Sequence, residues 1–312
     1  MASEAPLVSV VIPTYNRPKM VNEAIKSVLD QSYQNIEILV IDDASTKEIK
    51  FLYDQNHNIY YKKFEKNQGA NAARNWGIKN ANGEYIAFLD DDDQWKKTKI
   101  EKQINKIHRN DSVGVVYTGQ EFVDGNGNTI KTFTPTVRGN IRRYLFSGGV
   151  IGGFSSVLVS HHLINSVGKP DPELPIMQDR EWWIRLASDT SFESVPEPLV
   201  IRRFGEYDQI GDRHTELRDV AYPKIYEKHK NLAKSEGVRF QLRFKSMFLK
   251  RIGRSALYLG RYSEARRYLF KSIMYNPLSV GTILLFIISL GGSPLYRFAK
   301  YFRDKIRALT CI

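Results

Sequence analysis

Cysteine is nearly absent from this chain of 312 residues, whose one cysteine is Cys311. A single cysteine cannot form an intrachain disulfide, so nothing in the sequence points to an oxidising compartment. The apolar segment at 280–290 has about half the length that a membrane-spanning helix needs, so we expect a re-entrant, interfacial or packed helix. The first residues carry no basic stretch before the first strand-like run, and we therefore expect no signal peptide.

Several sequence motifs with a known chemistry are also missing. The chain contains no G-x-x-x-x-G-K-[ST] loop and no G-x-G-x-x-G turn, so P-loop and dinucleotide-binding folds are not favoured. Serine-hydrolase elbows and zinc-ligand spacings are absent, and the six histidines show no ligand pattern. Function must therefore be sought in a different set of polar residues.

Acidic residues are scarce in the last part of the chain. Met1 to Pro223 holds 27 Lys/Arg and 30 Asp/Glu, whereas Lys224 to Ile312 holds 19 Lys/Arg and 4 Asp/Glu. The net charge of +12 therefore comes from the tail. We predict a first domain over residues 1–225 and a basic helical tail over 226–312.

The first two hundred residues alternate strand and helix patterns. Buried strands are predicted at 7–12, 36–41, 58–64, 85–89 and 113–117. Amphipathic helices are predicted at 19–32, 69–81 and 98–108, and a hairpin at 121–133 turns on Asp-Gly-Asn-Gly. This alternation predicts an α/β fold with a mostly parallel sheet.

Polar residues follow three of these strands, where ligands bind in open sheets of this kind. The first strand ends in Pro13-Thr14-Tyr15-Asn16, the second in Asp42-Asp43, and the fourth in four aspartates, Asp90 to Asp93. Carboxylates at a strand end suit Mg²⁺ or Mn²⁺ bound to a diphosphate. The alternatives are a solvated acidic turn for Asp90 to Asp93 and a helix cap or Asx turn for Asp42-Asp43.

The segment "NQGANAARN" places Gly69 before a helix whose amide groups could face a phosphate. Arg74 lies one turn inside that helix, where its guanidinium could assist. By itself this pattern is weak.

Taken in order, the motifs "SVVIPTYNR", "ILVIDDAS", "NQGANAARN", "GEYIAFLDDDD" and "MQDREWWIRLA" resemble those of family 2 glycosyltransferases. The resemblance covers residues 7–215 and implies the GT-A fold and an inverting sugar transfer. It implies a nucleotide site whose residues here are Pro13, Thr14, Tyr15, Asn16, Asp42, Asp43, Asn67, Gly69, Arg74, Asp90 and Asp91. It also implies that Asp92 and Asp90 hold Mn²⁺ or Mg²⁺ on the donor diphosphate.

The resemblance further implies a catalytic base in "QDREWWIRLA". Asp179 matches the family's base, and Gln178 stands where a glutamate is common. Glu181 is the rival carboxylate, and a capping role for Asp179 is the structural alternative. Arg180 lies one position early for the Gln-x-x-Arg-Trp motif of processive members, so we expect addition of a single sugar. The following segment aligns loosely with a loop that closes over the donor, which makes Arg202, Arg203 and His214 candidate diphosphate or metal contacts.

The tail reads as a helical pair over about 239–276, an apolar segment at 280–290 and an amphipathic helix at about 294–309. Its apolar and basic faces favour an anionic membrane surface over nucleic acid as the partner. A helix packed on its own domain is the alternative for the last segment.

We therefore expect a metal-dependent glycosyltransferase that uses a UDP or GDP sugar. The acceptor is expected to be a hydroxyl of a lipid-linked glycan, and the protein is expected at the cytoplasmic face of the cell membrane. A polyprenyl-phosphate or dolichyl-phosphate sugar synthase is the second enzyme hypothesis. A membrane-bound adaptor with an inactive fold is the non-enzyme hypothesis.

Overall fold

A computed structural model describes residues 5–50, 58–110, 112–203, 213–299 and 301. Their contacts divide the chain into two compact units. The first comprises the described residues up to 142 with 150–173 and 178–203, and the second comprises 143–149, 174–177 and the residues from 213 onward. This division groups residues 213–225 with the helices, and the domain boundary at 225 stays a prediction.

The first unit contains a mixed sheet in which the described residues form nine strands. The strands are β1 (Val8–Thr14), β2 (Ile36–Asp42), β3 (Ile59–Lys63), β4 (Tyr85–Phe88), β5 (Asp93–Trp95), β6 (Val113–Val123), β7 (Thr129–Phe133), β8 (Val157–Ser160) and β9 (Ser191–Arg203). Their order across the sheet is β3-β2-β1-β4-β8-β6-β9-β5, and β7 pairs with β6.

Strands β3, β2, β1 and β4 pair parallel to one another and form one half of the sheet. All four were predicted from the sequence. Strand β6 also runs parallel to β9, whereas β8, β7 and β5 pair antiparallel with their neighbours. The predicted α/β class is confirmed. The antiparallel strands are short or irregular. The sequence has no alternating apolar pattern at β5, β8 or β9, so these strands were not predicted.

The helices before and after these strands are α1 (Pro18–Leu29), α2 (Ala70–Asn80), α3 (Lys99–Ile107), α4 (Arg142–Phe146), α5 (His161–Val167) and α6 (Gln178–Asp189). The first three agree with the predicted helices to within a few residues. Helix α6 begins at Gln178, one residue before the predicted base Asp179.

Strand β1 is buried on both faces, as expected for the centre of a parallel sheet. One face packs against Val21, Ile25 and Val28 of α1. On the other face, α2 approaches so closely that a Cβ on Gly77 would lie 2.4 Å from Cγ1 of Val11. Glycine at 77 thus lets α2 lie against the sheet.

The predicted hairpin joins β6 to β7. Its turn closes with the amide of Gly127 donating to the carbonyl of Asp124 at 3.0 Å, and Gly127 has φ of 86°. The Asp-Gly-Asn-Gly sequence supplies the left-handed backbone that this turn requires.

The described residues of the second unit from 213 onward are mostly helical. It contains α7 (His214–Glu216), a π-helical turn (Leu217–Ala221), α8 (Tyr222–Ser235), α9 (Val238–Tyr258), α10 (Tyr262–Tyr275) and α11 (Val280–Leu290). The predicted pair corresponds to α9 and α10, which turn at Gly260 with φ of 72°. The apolar segment forms α11, and residues 292–299 are helical.

The rest of the predicted amphipathic helix, from residue 302, lies outside the described residues. In the part that is described, no helix has both the length and the apolar character needed to cross a membrane.

Candidate active site

A cleft of about 340 Å³ opens at the carboxyl ends of β1, β2 and β4. Most of its walls come from the predicted motifs. It is lined by Pro13, Thr14, Tyr15, Arg17, Asp43, Ala70, Arg74, Asp90, Asp91, Asp92 and Arg202. The fold therefore brings together residues that are up to 189 positions apart in the chain.

The first motif divides its residues between the cleft and its support. Thr14 Oγ1 donates to Asp91 Oδ2 at 2.7 Å, and the ring of Tyr15 is exposed at the cleft. Asn16 has φ of 57° and uses Oδ1 to accept from the amides of Thr46 and Lys47. Asn16 is not among the lining residues, and its bonds hold the loop after β2.

Asp42 and Asp43 take different roles at the end of β2. Asp42 is fully buried, and its two oxygens accept from the amide of Ser45 and from the hydroxyl of Tyr61, each at 2.7 Å. Burial and the bond to Asp42 raise the pKa of the Tyr61 hydroxyl. The carboxylate of Asp43 lines the cleft instead. The sequence left the choice between the two open, and the geometry favours Asp43.

Asn67 and Gly69 lie beside Asp43. The carboxylate of Asp43 accepts from the amides of Gln68 and Gly69 at 2.7 and 2.8 Å, and Asn67 Nδ2 donates to the Asp43 carbonyl at 3.2 Å. Gly69 precedes α2 with φ of 91°, a conformation that favours glycine. Because its amide is bonded to Asp43, Gly69 acts on the cleft by fixing that carboxylate.

Arg74 lies under the acidic run. Its Nη2 is 2.5 Å from Asp90 Oδ1, and its guanidinium lies 4.1 Å from the centroid of Phe154. Burial by itself would raise the pKa of Asp90, but Arg74, with Arg202 and Arg17, holds that pKa below its usual range. Asp90 is therefore charged at neutral pH.

Arg17 joins the next two aspartates. Its Nη1 donates to Asp91 Oδ1 and to Asp92 Oδ2, each at 2.9 Å. Burial raises the pKa of Asp91, and burial together with the nearby Asp90 raises that of Asp92. The side chain of Asp92 is 42% exposed, against 26% for Asp90 and 7% for Asp91. Asp92 is therefore the carboxylate of the cleft that is most accessible to a ligand.

Asp93, the last residue of the acidic run, does not line the cleft. It begins β5, where it pairs in register with Arg202 of β9, and it is buried. Ser155 donates to Asp93 Oδ2 at 2.6 Å and accepts from the amide of Asp90 at 3.1 Å. Burial raises the pKa of Asp93 well above its usual range. Asp93 and Ser155 thus brace the backbone of the acidic run.

Asp179 lies in the first turn of α6, where its Oδ1 accepts from the amide of Arg180 at 2.7 Å. It is partly exposed, belongs to the same unit as the cleft, and is not among the residues that line it. Glu181 is fully buried and accepts from Arg185 at 3.0 Å. Of the two carboxylates, Asp179 is the one that solvent can reach.

The three predicted diphosphate or metal contacts, Arg202, Arg203 and His214, do not all line the cleft. Arg202 lines the cleft, whereas Arg203 pairs with Glu23. His214 belongs to the second unit, where its Nε2 lies 3.2 Å from Glu264 Oε1. Residues 204–212, the segment aligned with the closing loop, lie outside the described residues.

The sequence motifs did not predict two contacts of the site, those that Arg17 and Ser155 make with the aspartates. Arg17 is the last residue of the first motif, so its position beside the strand end offered a signal. Ser155 lies in a segment with no recognisable pattern, and only the fold brings it to Asp90.

The sequence of the chain matches a known protein family. The profile of "Glycosyl transferase family 2" matches residues 9–162. An uncharacterized glycosyltransferase of Methanocaldococcus jannaschii is 31% identical over 237 residues, which cover 73% of this chain and 81% of that protein. The chain belongs to glycosyl transferase family 2.

Other relatives are longer. An uncharacterized glycosyltransferase of Rickettsia felis is 37% identical over 192 residues, which are 58% of this chain and 31% of that protein. The match thus spans about a third of the length of that relative.

Among solved structures, the chain resembles TarS 1-349 of S. aureus in complex with UDP-GlcNAc. The TM-score is 0.55 at 17% identity, and the match covers 86% of this chain and 89% of the TarS chain. The same protein has also been solved with UDP. This likeness confirms the predicted GT-A fold.

Proposed function

We propose that this glycosyltransferase moves one sugar from a nucleotide-diphosphate sugar to a hydroxyl acceptor, with inversion at the anomeric carbon. The observation that carries the proposal is the cleft in which Asp43, Arg74, Arg202 and the run Asp90 to Asp92 converge from different strands. It combines acceptors for a nucleoside with cations for a diphosphate.

The nucleoside end of the donor would lie against Tyr15 and the carboxylate of Asp43. Asp43 is held by two backbone amides, which leaves further lone pairs of its oxygens for a base or ribose. Pro13, Thr14 and Asn67 shape or support this side of the cleft. A UDP sugar is the preferred donor because TarS, which shares the fold, has been solved with UDP and UDP-GlcNAc, and a GDP sugar is the alternative.

The carboxylates fit a divalent cation. The side chain of Asp92 is half-exposed, and Asp90 lies close enough to raise the pKa of Asp92. Both side chains would bind a metal through carboxylate oxygens. The described residues contain no group of three or more side chains arranged to hold a metal ion. Mg²⁺ commonly binds through one or two carboxylates and substrate phosphates, so Asp92 and Asp90 would hold Mg²⁺ or Mn²⁺ together with the donor. When bound, the ion neutralises charge on the leaving diphosphate.

Asp179 is proposed as the general base. In an inverting transfer the acceptor oxygen bonds to the anomeric carbon as the bond to the diphosphate breaks, and the base removes the acceptor proton from the opposite side. Asp179 lies on a different element from the acidic run and is accessible. Glu181 is engaged by Arg185 and is poorly placed to take a proton.

The proposed acceptor is a glycan carried on a lipid, with an anionic membrane surface at the cytoplasmic face as the partner of the basic tail. The excess of 19 Lys/Arg over 4 Asp/Glu after residue 223 supports that partner. In the alternative enzyme, a polyprenyl-phosphate or dolichyl-phosphate sugar synthase, the lipid phosphate itself accepts the sugar.

A thermal-shift panel tests the donor. UDP, GDP and CMP are each added with Mn²⁺, with Mg²⁺ or with EDTA, followed by hydrolysis of the matching nucleotide sugars. We expect stabilisation by UDP or GDP only when the metal is present. Full activity in EDTA would contradict the metal role, and the absence of any nucleotide binding would favour the inactive adaptor.

A further inference from the structure

Helix α11 packs Leu285, Phe286 and Ile288 against α9 and α10 and exposes other large apolar side chains on its opposite face. Thr282 and Ser289 are fully buried, whereas Val280, Leu284 and Ile287 are 67%, 55% and 49% exposed. These three residues follow one another at spacings of four and three, so they share one helix face. A helix that faces water normally has the opposite polarity, and a large exposed apolar patch commonly marks an interaction site.

The exposed apolar residues continue beyond α11. Phe270 and Met274 of α10 are exposed, and Leu278, in the turn between the two helices, is 76% exposed. The ring of Phe270 lies 6.0 Å from that of Phe286 in α11, which links the two helices. We call Phe270, Met274, Leu278, Val280, Leu284 and Ile287 the apolar surface.

A pocket of about 390 Å³ adjoins this surface, since Phe270 and Met274 also line it. Its other walls include Lys245 and Lys271 and the rings of Tyr222, Tyr268 and Tyr275, and none of its lining residues is acidic. Lys245 Nζ lies 4.4 Å from the Tyr275 centroid, and a hydrogen bond with Tyr275 raises the pKa of Lys245. The ammonium groups and phenol hydroxyls of this pocket can bind a phosphate. The apolar residues at its rim can contact a hydrocarbon chain attached to that phosphate.

The charge around the apolar surface and the length of α11 indicate what kind of partner covers this surface. Residues 238–299 hold eleven Lys/Arg and one acidic residue, Glu264, so a second copy of this segment would bring like charges together. At about 1.5 Å per residue, α11 is roughly 16 Å long, about half of the hydrocarbon thickness. Such a helix can lie in the headgroup layer without crossing the bilayer.

We propose that the apolar surface inserts into the headgroup layer of an anionic membrane while Lys245 and Lys271 bind lipid phosphates in the adjoining pocket. This inference identifies the membrane contact of the proposed function and rests on it for the choice of a lipid-linked acceptor. Vesicle binding is measured without donor or acceptor, so its failure is distinguishable from failure of the transfer reaction.

Sedimentation of the full chain with phosphatidylglycerol-containing vesicles tests the two lysines. Each basic residue near an anionic surface contributes about 1 kcal/mol, so K245Q/K271Q should weaken partitioning about thirtyfold. The variant K62Q/K63Q removes the same charge from the exposed residues of β3 and should bind as the wild type does. Equal sedimentation of these two variants would overturn the role of the pocket.

The variant L278S/V280S/L284S tests the apolar surface. All three residues are more than half exposed, so the change should leave the thermal unfolding temperature and its shift with nucleotide unaltered. We expect the wild type to keep residual vesicle binding at high salt and the variant to lose it. Binding to pure phosphatidylcholine as strong as to anionic vesicles would overturn the proposal. So would a wild-type dimer that dissociates in the variant while neither protein binds vesicles, because a second copy would then cover the surface.

Discussion

The indole ring of Trp182 packs edge-on against the ring of Phe88, with their centroids 5.7 Å apart. Phe88 ends β4 two residues before Asp90, and Trp182 follows Asp179 by three residues in α6. Phe154 contacts both rings, at 5.5 and 5.9 Å, and also carries Arg74 over its face. This aromatic cluster ties the first turn of α6 to the strand that presents the acidic run.

Replacing Trp182 by alanine should lower the free energy of unfolding by about 3–5 kcal/mol, because it removes a fully buried ring and leaves a cavity. Urea denaturation measures the change. Trp76, which is partly exposed and stacks on Tyr60 at 5.6 Å, offers the matched control. A Trp182→Ala variant no less stable than Trp76→Ala would mean that the cluster does not anchor α6.

Asp92→Asn should abolish metal-dependent nucleotide binding with little loss of stability. The substitution removes one of several neighbouring carboxylates, so it relieves repulsion while losing the half-exposed contact with Arg17 and the attraction to Arg202. The shift of the unfolding temperature with UDP and Mn²⁺ measures binding. Asp30→Asn, on the end of α1, controls for loss of a carboxylate, and metal-dependent binding that survives Asp92→Asn would remove Asp92 from the metal site.

Asp179→Asn should reduce turnover by about 10²- to 10⁴-fold, since asparagine cannot accept the proton of the acceptor hydroxyl. Donor affinity should change little, because Asp179 does not line the nucleotide cleft. Steady-state turnover and a separate donor titration measure the two quantities.

Glu181→Gln provides the contrast on the same helix. It breaks a buried ion pair with Arg185, so we expect a loss of stability of about 3 kcal/mol with turnover largely retained below the unfolding temperature. Near-normal turnover of Asp179→Asn combined with an inactive but folded Glu181→Gln would reverse the assignment of the base.

Lys99 should make stability depend on pH. Its ammonium group is fully buried over the ring of Trp95 at 3.9 Å, and burial lowers its pKa well below 10.5. Just below pH 10.5 the unfolded chain therefore binds a proton that the folded chain does not, and the stability of the wild type rises with pH.

Between pH 8 and 10, the free energy of unfolding should rise more steeply for the wild type than for Lys99→Met. Lys106→Met, on the same helix and partly exposed, is the control for loss of a lysine. Parallel curves for the wild type and Lys99→Met would show that Lys99 is charged in the folded protein.

Strands β1, β2 and β4 of the parallel half could be predicted because they are apolar runs bounded by polar residues. Strand β5 could not, since Asp93-Gln-Trp95 becomes a strand only through its antiparallel partner β9. Strand β9 itself contains Pro196 and Pro198, which weaken any strand pattern in the sequence.

The same distinction applies to the site. Local motifs identified Thr14, Asp43, Arg74 and Asp92 because each stands at the end of a strand or the start of a helix. The division of labour between Asp42 and Asp43 depends on Tyr61 in β3, and the position of Asp93 depends on Ser155. Such contacts are set by tertiary packing, which a single sequence does not display.

Time-resolved proton NMR of donor turnover tests whether the transfer inverts the anomeric carbon and depends on a metal. The full chain is incubated with the nucleotide sugar selected by the thermal-shift panel and with Mn²⁺, and the anomeric signals are followed. We expect metal-dependent loss of the donor signal and a first product of opposite anomeric configuration, both absent in Asp92→Asn. A first product that keeps the donor's configuration, or turnover that is unchanged in EDTA, would contradict it.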